Sequence, residues 1–523
     1  MRLIPTPAAF QPRPGRFPLT PGTRVVVTDP RLTTAERLFR RRLGSWTGMR
    51  TAAEDGAATA TVVLELGAVP ELGTLPAPRG IRPALHDARD EQFRLTIEPR
   101  TVTVRAPSPE GVHRALTTLA QLAATTGDPA GLPCGTFLDG PRFAWRGLSL
   151  DLARCFLPVD GVERVIDLLD LYKLNTLHLH LTDDRAWRIQ LPSRPALTTG
   201  GDFYTQADYA RILAYAADRH ITIVPEVDMP GHSAAAIAAY PELALSTAGD
   251  LARNTLDPAS PATWRFVEDV IGDIARITPG RFLHIGADET FGMTADDHAA
   301  FVRRAAAIVA RTGKHLAGWQ EIARGDIPAG TVVQHWIETD RLHALTGELG
   351  ELFPGIPAEK LVRLYAAAEG DLARALTQDA WILASPVSAT YLDRRYAEPT
   401  ADPRQETAAR RLGHPLYPPG AIRESLDWDP DTLTDPGRIT GIEAAVWGET
   451  LAGEADLHLL LLPRLAVIAE RAWALTSPPW DTLGPHLAHH APIWRRLGFT
   501  WYAAAGIPWQ DLPGLLGAGA APV

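Results

Sequence analysis

The stretch RFLHIGADET, residues 281–290, decides how this chain is read. Phe282 to Ile285 is mostly apolar, Gly286 and Ala287 are small, and Asp288 and Glu289 follow side by side. That is the pattern of a buried strand that runs out at a pocket and delivers acids there. Two carboxyls so close cannot both ionise freely, so their surroundings can drive their proton affinities apart. One protonated acid beside one carboxylate is the equipment for cleaving an acetal. The same residues also suit a solvated surface or a helix cap, where most Asp-Glu pairs sit. The rest of the chain decides between these readings.

Outward from this stretch, from about residue 141, short apolar segments alternate with amphipathic ones. The strand candidates are AWRGLSLDLA (144–153), LNTLHLHL (174–181), ITIVPEVD (221–228), RFLHIGA (281–287), HLAGWQEI (315–322), TVVQHWI (331–337), WILASPV (381–387) and GIEAAVWGE (441–449). Helical spacing marks 159–174, 208–219 and 261–277 between them. Eight strands with helical connections predict an α/β fold, a (β/α)8 TIM barrel over 141–505, with a frayed tail at 506–523. HLLLLPRLAVIAERAWAL (458–475) predicts one helix closing the barrel wall. Residues 1–140 read as a small α+β domain, an antiparallel sheet with a helix. Its strands are TVVLEL (61–66), FRLTIEP (93–99) and TVTVRAP (101–107), and its helix is 111–127. It shows no concentrated polar cluster, which makes it structural support.

Composition narrows the function. At 523 residues the chain is long enough for two domains. A net charge of −10 without a long basic run argues against nucleic acid. No window approaches the ~18 apolar residues of a membrane span. The N-terminal MRLIPTPAAFQPRPGRF has no apolar run of signal-peptide length, so the expected location is cytoplasmic. Cys134 and Cys155 give neither a disulfide framework nor a metal spacing, and free thiols are expected. Neither a metal nor another cofactor is expected.

In a barrel of this kind the active site lies at the C-terminal strand ends. Polar and aromatic residues do collect there: Asp151 and Arg154; Asp183, Asp184 and Trp187; Glu226, Asp228 and His232; His284, Asp288 and Glu289; Trp319; Trp336; Tyr391 and Asp393; Trp447 and Glu449. Tryptophan faces stack on pyranose rings. Carboxylates and arginine fix sugar hydroxyls. A sugar pocket floored by paired acids implies cleavage of a glycosidic bond.

These motifs carry a resemblance. The stretches LHLHLTDD (177–184), GGDFYTQADY (200–209), VPEVDMPGH (224–232), YPEL (240–243), HIGADE (284–289), GWQE (318–321), YLD (391–393), DWDP (427–430) and VWGET (446–450) resemble glycoside hydrolase family 20, the β-N-acetylhexosaminidases, from about Val104 to Trp473. The resemblance implies substrate-assisted, retaining catalysis on an amino-sugar oligosaccharide or glycoconjugate. The substrate's acetamido oxygen is then the nucleophile, and an oxazolinium ion is the intermediate. Glu289 would be general acid and then base, with Asp288 orienting the acetamido group and Tyr391 donating to its oxygen. Arg154, Asp393 and Glu449 would hold distant ring hydroxyls, inside a wall of Trp319, Trp336 and Trp447. Asp183 and His232 would tune Glu289, with Asp228 orienting His232. Glu226 reads as a buried hydrogen-bonding residue and His284 as strand packing. For Asp184 and Trp187, loop support and direct contact stand level.

The chain departs from the family pattern in places. Cys155 stands where the family has His. Arg185-Ala186 stands where Gln-Gly is common. A pocket tryptophan after YLD is missing, with Leu416 or Tyr417 near its place. Extra residues between Trp336 and Trp381 could narrow the site or build a homo-oligomer contact. The leading expectation is an exo-acting enzyme on terminal β-linked GlcNAc, with GalNAc as a further substrate. The alternatives are a disaccharide-releasing, lacto-N-biosidase-like relative and a carbohydrate-binding protein without turnover.

Overall fold

The computed structural model of the protein describes residues 1–49, 60–84, 87–126, 131–245, 254–290, 292–338 and 366–512. Its N-terminal sheet contains β1 (Ala9–Phe17), β2 (Arg24–Val27), β3 (Thr61–Leu66), β4 (Phe93–Ile97), β5 (Thr101–Ala106) and β6 (Leu132–Asp139), in the order β1-β6-β4-β5-β3-β2. The sheet is mixed rather than purely antiparallel. β2–β3 and β3–β5 run parallel, and the other pairings run antiparallel. The chain leaves β2 through helix Thr33–Arg42 before returning as β3, and a crossover of that length permits a parallel neighbour. β1 escaped the sequence pattern because Pro12 and Pro14 interrupt it, and it lies at the sheet edge, where proline is tolerated.

The eight predicted barrel strands all form and close in order. They are β7 (Trp145–Asp151), β8 (Thr176–His180), β9 (Thr222–Glu226), β10 (Phe282–His284), β11 (His315–Trp319), β12 (Val332–His335), β13 (Trp381–Ala384) and β14 (Ile439–Val446). Every pairing is parallel, and β14 returns to β7 from Gly441 opposite Trp145 to Val446 opposite Leu150. These strands are buried on both faces, because helices such as Val159–Leu171, Pro261–Ile277 and Ala295–Arg311 cover the outside. The predicted closing helix divides into Glu454–Leu461 and Arg464–Trp473. Pro463 has no N–H to continue the ladder and holds Leu462 in an extended conformation (ψ 134°). Among the described residues no helix is long and apolar enough to cross a membrane. The insert between Trp336 and Trp381 contains helix Asp371–Thr377, while 339–365 and the tail from 513 lie outside the described residues.

Helix Pro109–Thr126 joins the two parts. Its apolar Val112, Leu116 and Leu119 are fully buried, and so are its polar His113, Arg114 and Thr117. Glu91 is the hub of the contact. It accepts from Arg114 Nε at 3.0 Å and from the Arg146 guanidinium of β7, while Arg82 stands 3.8 Å away. Beside it, Lys173 Nζ meets Asp139 Oδ2 at 2.8 Å. The concentrated polar cluster that the N-terminal sequence did not show is therefore assembled by the fold, from residues scattered along the chain.

Candidate active site

β10 ends at His284, and the chain then turns sharply. Gly286 (φ 66°), Ala287 (φ 74°) and Glu289 (φ 42°) occupy the left-handed region, as does His232 (φ 48°) opposite. For the non-glycine residues this costs on the order of 1–3 kcal/mol each. Position 286 requires glycine, because a Cβ there would lie 1.8 Å from Asp228 Oδ1. That oxygen holds the turn by accepting from Ala287 N at 3.0 Å. His298 Nε2 donates to the Ala287 carbonyl at 2.9 Å from the far side.

His232 faces both acids delivered by this turn. Its Nε2 lies 3.5 Å from Glu289 Oε2 and 3.8 Å from Asp288 Oδ2. Its Nδ1 lies 3.2 Å from Asp183 Oδ2. Asp183 is therefore the carboxylate that faces the inner nitrogen of His232. Asp228, expected to orient this ring, stands within 4.8 Å of it, and the missing side chain of Gly286 lets its Oδ1 reach the backbone of the turn as well. Asp183 also receives Arg154 Nη2 at 2.7 Å. Arg154 in turn meets Asp151 Oδ2 at 3.0 Å and Glu449 Oε1 at 3.2 Å, with its guanidinium 5.5 Å from the Trp447 ring.

Burial drives Asp288 well above the usual carboxylate range, and Asp228 and Glu289 add to this against the pull of His232. Burial also lifts Asp228, to about 7. For Asp183 the balance reverses: burial opposes its charge, but Arg154, His180 and His232 hold it well below the usual range. His232 is raised well above an ordinary histidine despite burial, because Asp183, Asp228 and Glu289 surround it.

An aromatic box closes over the acids. Trp319 and Trp447 lie 5.6 Å apart at 53°, and Trp336 lies nearly parallel to Tyr391 at 6.3 Å. Tyr417 meets Tyr391 edge-on at 5.6 Å, and Leu416 packs in the same cluster. Both residues named for the missing tryptophan's place thus join the box. Asp393 is buried at its edge, and burial with nearby Glu449 pushes it well above the usual range. Among the described residues, neither Asp393 oxygen has a well-aligned hydrogen-bond partner, and the same is true of Asp288 Oδ1 and Glu321 Oε1. Folded proteins leave few buried polar atoms unpaired. Three such carboxyls beside a box of aromatic rings offer the groups that a polyhydroxylated ring needs.

Residues 143–348 and 355–476 match the model of glycosyl hydrolase family 20, catalytic domain, and residues 1–139 match that family's domain 2. The chain belongs to glycosyl hydrolase family 20. It is therefore a glycoside hydrolase with β-N-acetylhexosaminidase activity. It is 39% identical to a β-N-acetylhexosaminidase of Cellulomonas fimi over 460 residues, covering 83% of this chain and 85% of that protein. Among solved structures, the Streptomyces plicatus N-acetyl-β-hexosaminidase superposes with a TM-score of 0.80 at 33% identity, covering 97% of this chain and 98% of that one. The family 20 enzyme of Streptomyces coelicolor A3(2) gives 0.79 at 32%, covering 97% and 99%.

Several residues of the site escaped the sequence reading. Glu321 accepts from Trp336 Nε1 at 3.2 Å, and burial raises it to about 8. Glu443 lies in β14 inside the barrel and accepts from Trp145 Nε1 at 2.7 Å and His178 Nδ1 at 2.8 Å. His178 and His180 were quoted without a role, yet the alternation of LHLHL already places both on one strand face. Glu226 is the predicted buried hydrogen-bonding residue: Trp319 Nε1 reaches it at 2.9 Å, and His180 Nδ1 at 2.6 Å. His284 does more than pack, with Nδ1 2.9 Å from Glu226. Asp184 supports the loops, accepting from Ala234 N and Asn254 Nδ2, and buried Trp187 donates to the Ile189 carbonyl. Among the described residues four triplets, His178–Glu226–His284 and Asp228–His232–Asp288 among them, have atoms within 4.8 Å of one another, as a cation site would need. Their ring nitrogens and carboxylates already face one another, and the proposed reaction has no step that requires a metal.

Proposed function

We propose that this hexosaminidase is exo-acting and retaining, and removes terminal non-reducing β-linked GlcNAc, or GalNAc in the same pocket, by substrate-assisted catalysis. The observation that carries this reading is the placement of Asp288 and Glu289 together on the strained turn beneath the aromatic box. In this scheme Glu289 protonates the leaving oxygen, and the substrate's own acetamido oxygen attacks the anomeric carbon. Tyr391 donates its hydroxyl to that oxygen and holds it in line. Asp288 takes the acetamido N–H and stabilises the positive charge of the oxazolinium ion. Its raised proton affinity in the free pocket fits this task, because an N–H donor and a growing cation favour its ionised form only once the sugar is bound. Water then opens the ring with Glu289 as base. Arg154, Glu449 and Asp393 hold ring hydroxyls remote from the bond being broken. The Streptomyces plicatus relative, one variant of which is held with product GlcNAc, supports the choice of sugar.

The test compares aryl β-glycosides of GlcNAc, GalNAc, glucose and lacto-N-biose. Release from the 2-acetamido monosaccharides alone is expected. A glucoside cleaved as fast as the 2-acetamido sugar would remove the substrate's assistance from the scheme. Preferential cleavage of the lacto-N-bioside would replace exo-release of one sugar by release of a disaccharide.

A further inference from the structure

Below the catalytic turn, the barrel interior carries a line of closely spaced acids and histidines, part of it hydrogen-bonded. It begins at Glu443 Oε1 on β14, 2.8 Å from His178 Nδ1 on β8. His178 Nε2 lies 3.2 Å from Glu226 Oε2 on β9. The same Glu226 oxygen takes His180 Nδ1 at 2.6 Å. The other nitrogen of His180 reaches upward, with Nε2 3.3 Å from Asp183 Oδ2. That Asp183 oxygen is the one beside Arg154 and His232, and His232 faces Glu289.

We infer that His180 is a positioning residue of the reaction: it bridges the barrel-floor carboxylate Glu226 to Asp183 and so fixes the carboxylate against which His232 is set beneath Glu289. This rests on the catalytic reading of Glu289 above. Geometry gives His180 no freedom to do anything else. Its two ring nitrogens are spent on carboxylates of different strands, and the Trp447 ring closes edge-on against it at 5.2 Å and 87°. It is buried, 1% exposed, so no solvent competes for either nitrogen. The nearest charged groups are the acids Asp151 from β7, Asp183 above its own strand, Glu226 from β9 and Asp228 just beyond it, with Arg154 and His178 sharing the Asp183 and Glu226 oxygens that His180 contacts. Burial opposes a charge on His180, but Glu226, Asp183 and Asp151 raise it well above an ordinary histidine, so the bridge is an imidazolium that donates at both ends. A donor fixed at Nε2 keeps Asp183 ionised and prevents it from swinging wholly to Arg154.

The two amide replacements of His180 separate this role from simple core support. An asparagine amide reaches the place of Nδ1 and keeps the bond to Glu226 while losing Asp183. A glutamine amide reaches the place of Nε2 and keeps Asp183 while losing Glu226. For His180→Asn, kcat on an aryl β-GlcNAc with a poor leaving group should fall about 10- to 100-fold, a part of the ~10²–10⁴ that a positioned general acid supplies, with KM nearly unchanged. The alkaline limb of its kcat/KM profile should move to higher pH, because a positive charge is lost from beneath the catalytic turn. His180→Gln should recover most of kcat, while its alkaline limb shifts as in His180→Asn, because neither amide carries a charge. A role confined to the fold predicts the reverse order, with His180→Gln the worse because the Glu226 contact is the shorter one. That order, or an unshifted His180→Asn profile, would overturn the inference. Should His180→Asn not fold, Glu226→Gln replaces it: a lowered kcat with KM unchanged supports the bridge, and an unchanged kcat and profile overturns it. A wild-type enzyme inactive on every aryl glycoside would sink the reading of Glu289 instead, so the two failures are distinct.

Discussion

At the N-terminal ends of the barrel strands, Glu91 is buried among Arg82, Arg114 and Arg146, and Asp170 among Arg42 and His113. At the C-terminal ends, Glu321 and Asp393 are buried just as deeply and Asp288 is largely buried, but each keeps at least one oxygen without a well-aligned partner among the described residues. The residue types are the same and their proton affinities move in opposite directions. Burial would raise Glu91 and Asp170, but their arginines win and both are lowered. Burial raises Asp288, Glu321 and Asp393 with too little cationic charge to answer it. Paired acids lock two parts of a molecule together. Acids left under-paired store free energy that a ligand can release, and a protein tolerates them where function requires them.

The comparison can be broken most directly at Glu289. Glu289→Gln should lose about 10²–10⁴-fold in kcat on substrates with poor leaving groups while its thermal midpoint stays near that of the wild type. A loss under tenfold would remove Glu289 from proton transfer. Next comes the junction. Glu91→Gln leaves three buried arginines short of their shared carboxylate and should cost roughly 3–5 kcal/mol in denaturant unfolding. Its KM at low denaturant should not change, and an altered KM would mean that the junction reaches the site.

Asp393→Asn is a smaller change with divided consequences. It should lower kcat/KM about tenfold, the worth of one hydrogen bond to a sugar hydroxyl involving a charged group. Its folding stability should equal or exceed that of the wild type, because a poorly paired buried acid is replaced by an amide. Lost stability would show that Asp393 is paired after all.

The smallest effect is in pH. His178 is raised from the usual 6.5 to about 9, by Glu226 and Glu443 against burial. Its contribution is complete below about 6.5 and disappears as pH rises through about 9. Asp228 and Glu321, raised to about 7 and about 8, also disfavour folding increasingly as pH rises toward those values. Glu91 and Asp170 are lowered, so their contribution is present above the ordinary carboxylate range and is lost on acidification. The thermal midpoint should therefore fall on both sides of a mildly acidic maximum, by a few °C toward pH 9. Glu321→Gln should flatten the alkaline side alone and Glu91→Gln the acid side alone. If either substitution flattened both sides, the two clusters would not be independent.

The eight strands were legible because parallel barrel strands are buried on both faces and read as short apolar runs. Asp288, Glu289 and the tryptophans were legible because strand ends collect a barrel's chemistry. In the N-terminal sheet β3, β4 and β5 were legible too; β1 and β2 were not, since they are proline-broken or short and half-exposed, and the mixed strand direction is set by crossovers rather than by pattern. Glu443 and Glu321 each looked like any polar residue within a strand candidate. Only burial distinguishes them. The second contact of Asp228, with the backbone of the catalytic turn, was not legible, because its reach depends on the space left by Gly286 after the neighbouring strand.

What the sequence determined by itself was therefore periodic or local: alternating strands and helices, the adjacent acids, and the aromatics at strand ends. The tertiary structure alone decided which carboxyls are answered by cations and which are not. That balance depends on side chains brought together from positions tens to hundreds of residues apart. The free energy of a buried charge depends on those neighbours far more than on its own residue type.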